Sequence, residues 1–270
     1  MTAVSTRGAR AGTGRRVAVI TGGGRGLGRG IALALAEAGC DLVLGWHSNP
    51  EALAATVGEA GRLGALVQTV HGDVTDPDTS AQLAKVATGE FGGLDVWVNN
   101  AGVSVLAPVL ETSAEDMTQM MDVNFLGTFH GLQAAAGAMT AAGEGGRIIN
   151  VASDLGLVAA PLLAGYSASK FAVVGLTQAA AVELAPRQIA VNAVCPGTVE
   201  TDMVLAEQAA EAAWLGGPVE AVRQRLLGAV PAGRLCTPED VGALVTWLAS
   251  PGASYVTGQA ICTNGGSILR

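Results

Sequence analysis

Tyr166 and Lys170 lie four positions apart in a stretch of small and apolar residues that predicts a helix. Residues at i and i+4 project from one helix face, with Cβ atoms roughly 5–6 Å apart. At about 6 Å and an effective dielectric near 20, an ammonium favours phenolate by roughly 3 kcal/mol, or about two pKa units. Tyr166 is therefore predicted to act as acid or base near neutral pH, although any solvated helix face can carry such a pair.

Ser153 supplies a hydroxyl to the same chemistry. It ends the apolar run 147–153, which predicts a buried strand. In open α/β sheets, ligands bind at the carboxyl ends of the strands. We therefore expect Ser153 to meet Tyr166 and Lys170 at one edge of a sheet.

A glycine-rich turn at 22–28 comes after the apolar run 16–21 and precedes helical periodicity to Ala38. Glycines permit a tight turn and let backbone N–H groups approach a pyrophosphate at a helix N-terminus. Strand, glycine turn and helix together predict a dinucleotide site. Its predicted contacts are Gly22, Gly24, Arg25, Gly26, Leu27 and Gly28.

With these motifs the chain resembles the short-chain dehydrogenase/reductase family, from about Arg16 to Gly266. The resemblance implies that Ser153 polarises the substrate and that Tyr166 and Lys170 form the catalytic pair. It also implies that Lys170 holds the nicotinamide ribose, and that Asn124 supports a water chain to this lysine. Residues 131–135 and 166–178 are similar to acetoin, butanediol and polyol dehydrogenases, and the first two strands to 3-oxoacyl carrier-protein reductases.

The same resemblance implies further contacts to the dinucleotide. Asp73 and Val74 would flank the adenine, although a loop Asp can equally cap the next turn. The N-N-A-G motif after the fourth strand and the P-G-x-x-x-T motif after the sixth would meet the cofactor as well. These contacts are Asn100, Ala101, Gly102, Pro196, Gly197, Val199 and Thr201, beside Tyr166 and Lys170 themselves.

Cofactor preference depends on the residues at the end of the second strand. An NAD enzyme commonly has a carboxylate there to bind the adenosine ribose. This chain has Trp46, His47 and Ser48 instead, with Arg25 placed to reach a 2′-phosphate. We therefore predict NADP(H) over NAD(H), with NAD(H) still possible, because Arg25 could be a solvated loop residue and Trp46 could stack on either adenine.

Strands and helices alternate along the whole chain. The predicted strands are 16–21, 41–46, 65–70, 94–98, 147–153, 189–194 and 258–262. This alternation predicts a single Rossmann-type domain, 15–270, with a doubly wound seven-stranded parallel sheet. We expect a flexible tail at 1–14 and a helical lid over the substrate at about 203–230.

Composition excludes several classes of protein. A net charge of −8 provides no basic face for nucleic acid. No apolar stretch approaches the roughly 18 residues of a membrane span. The four cysteines lack metal-ligand spacing and predict buried, reduced thiols in a cytoplasmic protein with no metal site. The apolar helix at 171–184 must be covered, which predicts an oligomer, and the resemblance implies a homotetramer.

The function predicted from these features is reversible interconversion of a secondary alcohol and a ketone with NAD(P)(H). The partner is a small-molecule ketone or alcohol. The alternative is a dinucleotide-binding sensor or scaffold that turns nothing over. The complete set Asn124, Ser153, Tyr166 and Lys170 favours the enzyme, since a silent binder need not keep it.

Overall fold

The computed structural model describes residues 14–269, so the tail predicted at 1–14 lies outside them apart from Gly14. Seven parallel strands of the described chain form one sheet in the order β3-β2-β1-β4-β5-β6-β7. The strands are β1 (Arg16–Ile20), β2 (Cys40–Trp46), β3 (Val67–His71), β4 (Val96–Asn99), β5 (Gly146–Val151), β6 (Ile189–Pro196) and β7 (Ala260–Thr263). The predicted doubly wound parallel sheet is confirmed.

Strands β3, β4 and β7 begin two residues later than predicted, and β3 and β7 do so for a common reason. Ahead of β3, the Leu66 N–H donates to the Asp41 carboxylate instead of to a neighbouring strand. Ahead of β7, the Gln259 N–H donates to the Asn192 side chain, and Gly258 has a positive φ of 74°. Because side-chain oxygens accept hydrogen bonds from these amide N–H groups, the regular pairing between strands begins one or more residues later.

Helices cover both faces of the sheet. They are α1 (Gly26–Glu37), α2 (Pro50–Arg62), α3 (Pro77–Glu90), α4 (Ala114–Met120), α5 (Gly127–Ala142), α6 (Ala164–Leu184), α7 (Asp202–Leu215), α8 (Val219–Gly228) and α9 (Pro238–Ala249). One core packs α1, α2 and α9 on the sheet, and the other packs α3, α5 and α6 on the opposite face.

The helical segment that begins after Ser113 is interrupted. Ser113 caps α4 in a capping box with Asp116, but Met121–Leu126 then form one π-helical turn before α5 begins. Wide turns of this kind are frequent at functional sites. The side chain presented here is that of Asn124.

A chain of buried polar side chains joins the central strands to α6. Trp97 Nε1 donates to Asn99 Oδ1 at 2.7 Å, and Asn99 donates to Asn150 Oδ1 at 2.9 Å. Asn150 in turn donates to Thr177 Oγ1 at 2.8 Å. Without partners, these buried polar groups would destabilise the folded protein. The chain of hydrogen bonds therefore sets the register of β4, β5 and α6.

The cysteines are free thiols, and Cys262 is only partly buried, contrary to the expectation of four buried thiols. This cysteine lies on β7 at the edge of the sheet, where no further strand of the described chain covers it. In residues 14–269, no helix has the length and apolar character needed to cross a membrane.

Candidate active site

The glycine turn forms a cradle at the carboxyl end of β1. Arg25 precedes α1 in an extended conformation and places no side-chain cap on it, so the first amides of the helix point outward without a side-chain acceptor. No acidic residue occupies the first turn of α1. The helix dipole and these amides together favour a bound anion such as a pyrophosphate.

Glycine is required in this cradle by close approach of the backbone. A Cβ on Gly28 would collide with the carbonyl of Gly22 and the side chain of Asn100. Gly22 itself has a φ of 64°, in the left-handed region that glycine tolerates best. The turn therefore packs so closely on itself and on Asn100 that a side chain does not fit at position 28.

Thr21 and Asn100 lock the cradle to the loop after β4. Thr21 Oγ1 accepts from the amides of Asn100 and Ala101 at 2.9 and 3.1 Å. Asn100 Nδ2 donates to the Thr21 and Gly22 carbonyls at 2.9 and 3.2 Å. The Asn100 side chain thus holds the glycine turn, which adds a structural reason for the N-N-A-G motif to its predicted cofactor contact.

The structure brings Ser153, Tyr166 and Lys170 together. Ser153 comes directly after β5 and is buried, and its hydroxyl is near enough to the Tyr166 phenol to lower the phenol pKa. Lys170 Nζ lies 5.6 Å from the centroid of the Tyr166 ring and donates to the Val151 carbonyl at 2.9 Å. Helix α6 therefore delivers the phenol and ammonium to the carboxyl end of β5, as their spacing predicted.

The expected electrostatics of the pair require correction. Burial raises the pKa of Tyr166, the charge of Glu207 raises it further, and the nearby Ser153 hydroxyl lowers it. Burial also lowers the pKa of Lys170 to about 8. The pKa of Tyr166 thus rises instead of falling as predicted, because desolvation of the phenol outweighs the neighbouring ammonium.

Asn124 fastens the loop after β4 to α6. Its Oδ1 accepts from the Val103 amide at 2.8 Å, and its Nδ2 donates to the Val103 carbonyl and to Ser169 Oγ, both at 2.9 Å. Ser169 donates to the Tyr166 carbonyl at 2.7 Å. Asn124 thus positions the turn of α6 that carries Tyr166, while its support of a water chain to Lys170 stays a prediction.

The other predicted cofactor residues lie along the same edge. Pro196 ends β6, and the Gly197 amide donates to the Thr263 carbonyl at 3.1 Å. Val199 is buried and pairs with Cys236 in an isolated bridge. Thr201 caps α7 by accepting from the Val204 amide at 3.5 Å. The whole P-G-x-x-x-T motif therefore connects β6 to α7.

Asp73 caps the turn that follows it, which is the alternative to adenine contact that the sequence left open. Its carboxylate accepts from the Thr75 amide at 2.9 Å, and this bond lowers the pKa of Asp73. Val74, beside it, offers its carbonyl to His130 at 3.2 Å. Both residues lie just beyond β3, and their contact with adenine stays a prediction.

An aromatic cluster lies where β2 and β3 end. His71 stacks on His47 at 6.0 Å and packs against Trp46 at 4.6 Å, measured between ring centroids. His47 and Ser48 are exposed, and His71 was missed by the sequence because it pairs with Trp46 only through the register of the two strands. Arg25 is exposed and lies 3.9 Å from the exposed Asp202.

Sequence reasoning missed two acidic side chains near Tyr166. Asp154 is the next residue after Ser153 and accepts from its hydroxyl at 3.3 Å, and burial raises the pKa of Asp154 to about 6. Glu207 belongs to α7, and its charge reaches the phenol. The position of Asp154 next to Ser153 could have signalled the first, whereas Glu207 is brought near only by the tertiary fold.

The arrangement fits a nicotinamide dinucleotide. The uncapped N-terminus of α1 and the glycine cradle suit its pyrophosphate, and Ser153, Tyr166 and Lys170 lie along the same edge of the sheet. Within the part of the chain that the structure describes, no group of three or more His, Cys, Asp and Glu could hold a metal ion. The residues present suit proton transfer beside a bound dinucleotide.

Comparison with known proteins gives a consistent result. The family model for short chain dehydrogenases matches residues 16–212. L-2,3-butanediol dehydrogenase from Corynebacterium glutamicum is 40% identical over 94% of this chain and 99% of its own. The 3-oxoacyl-[acyl-carrier-protein] reductase of Staphylococcus aureus is 36% identical over 93% and 98%. The crystal structure of levodione reductase superposes with a TM-score of 0.87, at 32% identity over 93% and 96% of the two chains.

Proposed function

The chain belongs to the short-chain dehydrogenase family, and from this premise we propose that it interconverts a secondary alcohol and a ketone with Tyr166 as general acid and base. Membership of the family makes it an oxidoreductase that acts on alcohol or ketone groups with an NAD(P) dinucleotide. The observation that carries the proposal is the convergence of Ser153, Tyr166 and Lys170 at one end of β5.

In this mechanism the bound dinucleotide supplies or accepts the hydride. Ser153 holds the substrate oxygen by hydrogen bonding, and Tyr166 exchanges a proton with the same oxygen. Because burial raises the pKa of Tyr166, the phenol carries its proton at neutral pH and is a weaker acid than an exposed tyrosine. Donation to a ketone oxygen is therefore expected to depend on the negative charge that develops on this oxygen during hydride transfer.

The Tyr166→Phe variant tests this role, because it removes only the transferable proton. We expect kcat/KM for a panel of ketones to fall about 10²- to 10⁴-fold, with the Kd for dinucleotide unchanged within about twofold. Tyr255→Phe is the matched control, since Tyr255 is fully exposed.

Two outcomes would contradict the proposal. Turnover of the Tyr166→Phe variant within tenfold of the parent protein would remove Tyr166 from the mechanism. A parent protein that binds dinucleotide but converts no ketone or alcohol would favour the silent sensor.

For the cofactor we propose NADP(H) over NAD(H). Arg25 supports this, because its exposed pair with Asp202 at 3.9 Å is weak and leaves the guanidinium able to bind a 2′-phosphate. The aromatic cluster of Trp46, His47 and His71 offers no carboxylate to repel that phosphate. Both features lie at the carboxyl ends of the first two strands.

Arg25→Ala measures the contribution of this guanidinium. A charge-assisted bond of roughly 1.5–3 kcal/mol predicts that the ratio of kcat/KM for NADP(H) over NAD(H) falls about ten- to a hundredfold. Arg29→Ala is the control, because Arg29 lies in α1 only four residues after Arg25 but is paired with Glu59 at 2.5 Å. An equal or reversed preference in the parent protein would defeat the prediction.

We propose that α7 and α8 form a lid over the substrate and that the protein is a homotetramer. Helix α6 supports the assembly, because Phe171 and Val182 on its outer face are 45% and 80% exposed in the single chain. An apolar helix face of this kind is covered most readily by another subunit. A monomer mass in light scattering at micromolar concentration would refute the assembly.

A further inference from the structure

Leu162 has a backbone conformation that leucine rarely adopts. Its φ is 66°, in the left-handed region, where the Cβ atom crowds the following carbonyl oxygen. Leu162 comes directly after Pro161 in a turn, and a turn position with positive φ after proline usually holds glycine or asparagine. Bulky residues keep such a conformation only where the surrounding structure imposes it, and they cluster at functional sites.

The other two non-glycine residues with positive φ within residues 14–269 have local explanations. Asn49 is of a type that tolerates this region, and its side chain caps α2 by accepting from the Ala52 amide at 2.9 Å. Gln188 follows the 3₁₀ turn Ala185–Arg187, and left-handed residues are common where a helical turn ends. Leu162 has no polar side chain for capping and ends no helix. Its conformation therefore requires an explanation from another part of the fold.

A hydrogen bond from a distant segment holds Leu162 in place. The Ala107 amide donates to the Leu162 carbonyl at 2.9 Å. Ala107 ends the segment 103–107, which follows the N-N-A-G motif. At the other end of this segment, Asn124 binds Val103 through hydrogen bonds at 2.8 and 2.9 Å. The segment is thus fastened at one end by a side chain and at the other end by the left-handed backbone of Leu162.

Both of these fastenings lead to the turn of α6 that carries Tyr166. On one path Ser169, which is bonded to the π-helical turn, donates to the Tyr166 carbonyl at 2.7 Å. On the other path Leu162 precedes Leu163, the N-cap residue of α6, whose carbonyl accepts from the Ser167 amide at 2.8 Å. No side chain caps this end of α6. The turn at Leu162 therefore fixes where the helix begins.

We propose that Leu162 is a positioning residue, whose left-handed backbone sets the first turn of α6 and with it the Tyr166 phenol. The inference rests on the proposed role of Tyr166 as general acid and base. It assigns the function to the backbone conformation of Leu162 and not to its half-buried side chain. Because proton transfer requires close approach, a shift of about 1 Å in the phenol lowers the rate by about 10²-fold.

Packing of the Leu162 side chain is the competing explanation, and three substitutions separate the two. Valine keeps an apolar side chain, but its branched Cβ makes the left-handed conformation much less favourable. Asparagine tolerates this conformation and is close to leucine in size, but it is polar. Alanine has the ordinary cost of a left-handed residue and lacks the side chain beyond Cβ. A packing role predicts that valine is the mildest change, whereas a backbone role predicts that it is the most damaging.

The test is kcat at saturating dinucleotide for Leu162→Val, Leu162→Asn and Leu162→Ala, on a ketone that the parent protein reduces. We expect kcat to fall more than tenfold in Leu162→Val and to stay within about threefold in the other two. The dinucleotide Kd should stay within about twofold in all three, because the Val151 carbonyl holds Lys170 separately. Leu157→Val is the matched control, since Leu157 lies in the same connection with a φ of −118°, and it should keep kcat within about threefold.

Hydrogen exchange at residues 167–170, whose amides bond to the first turn of α6, provides a readout without turnover. Exchange there should be faster in Leu162→Val and unchanged in the other two variants. A parent protein that reduces no ketone would defeat the proposed function, and the exchange rates would still decide the role of Leu162.

Three results would overturn the inference. The first is a Leu162→Val variant with kcat within tenfold of the parent protein, or with unchanged exchange. The second is a loss of kcat in the asparagine or alanine variant as large as in the valine variant. The third is a dinucleotide Kd weakened more than tenfold in Leu162→Val, which would indicate general disruption of the site. If Leu162→Val does not fold, the asparagine and alanine variants decide, and a loss above tenfold in either would overturn the inference.

Discussion

Toward the sheet, the side chains of Asn124, Ser169 and Lys170 behind Tyr166 all have protein partners at 2.7–2.9 Å. Toward α7, Ser104 Oγ and Gln208 Nε2 are buried and make no hydrogen bond of standard geometry within residues 14–269. The first region is a satisfied network, which holds its members in one geometry. The second has unused hydrogen-bonding capacity.

The difference separates positioning from selection. Side chains bonded in this way hold the catalytic groups within the small tolerance that proton transfer requires. A polar group without a partner gains the most from a ligand that completes it. Variants on the sheet side should therefore change the rate for every substrate, whereas variants on the α7 side should change which substrates are used.

The largest effect on the sheet side is expected from Lys170→Met. Methionine has a similar length and suits a buried site, but it removes the charge and the bond to Val151. We expect kcat/KM to fall about 10²- to 10³-fold for every substrate, as when a preorganised charge is removed, with weaker dinucleotide binding. The measurement is kcat/KM from steady-state kinetics on two ketones of different chemical class.

The pH profile of the parent protein gives an independent readout. Lys170 has a pKa of about 8, so the charge that the mechanism uses is present below this pH and is lost above it. Dinucleotide affinity of the parent should weaken as pH rises through about 8, and the Lys170→Met variant should lack this change. If the Lys170→Met variant lost kcat/KM for only one class of ketone, this result would contradict the proposed division between the sheet side and the α7 side.

A smaller effect, on stability, is expected from Asp154→Asn. The pKa of Asp154 is raised from 3.8 to about 6 by burial, so ionisation destabilises the folded state. Linkage gives the sign: this penalty is absent below about pH 4 and complete above about pH 6. At pH 8 the variant should unfold with a free energy about 2–3 kcal/mol higher than the parent, and the gain should vanish as pH falls below 4.

Asp240→Asn is the matched control with the opposite sign. Hydrogen bonds from Arg234 and from the Thr237 amide lower the pKa of Asp240, so its ionised form stabilises the fold and its removal should destabilise the protein at neutral pH. Urea unfolding of the three proteins at pH 4 and pH 8 distinguishes the effects. An Asp154→Asn variant less stable than the parent at pH 8 would show that its carboxylate is stabilising.

Local patterns in the sequence were sufficient to predict the architecture and most of the residues at the sheet edge where the site lies. Short apolar runs identified all seven strands of the described sheet, because parallel strands buried on both faces leave little choice of residue. The four-residue spacing of Tyr166 and Lys170 and the glycine turn are features of single segments. Their geometry is a consequence of helix and turn stereochemistry alone.

Other features depended on segments that meet only in the folded chain. Asn99 and Asn150 pair because β4 and β5 are neighbours in the sheet, and His71 reaches Trp46 through the register of β2 and β3. The pKa of Tyr166 was expected to fall on the basis of one neighbour, yet it rises, because desolvation comes from every element packed around the phenol. The sequence spacing of Tyr166 and Lys170 thus determined that they share one helix face. Only the tertiary structure decided their burial and placed Glu207 near them, since electrostatics in a buried site depends on all surrounding groups.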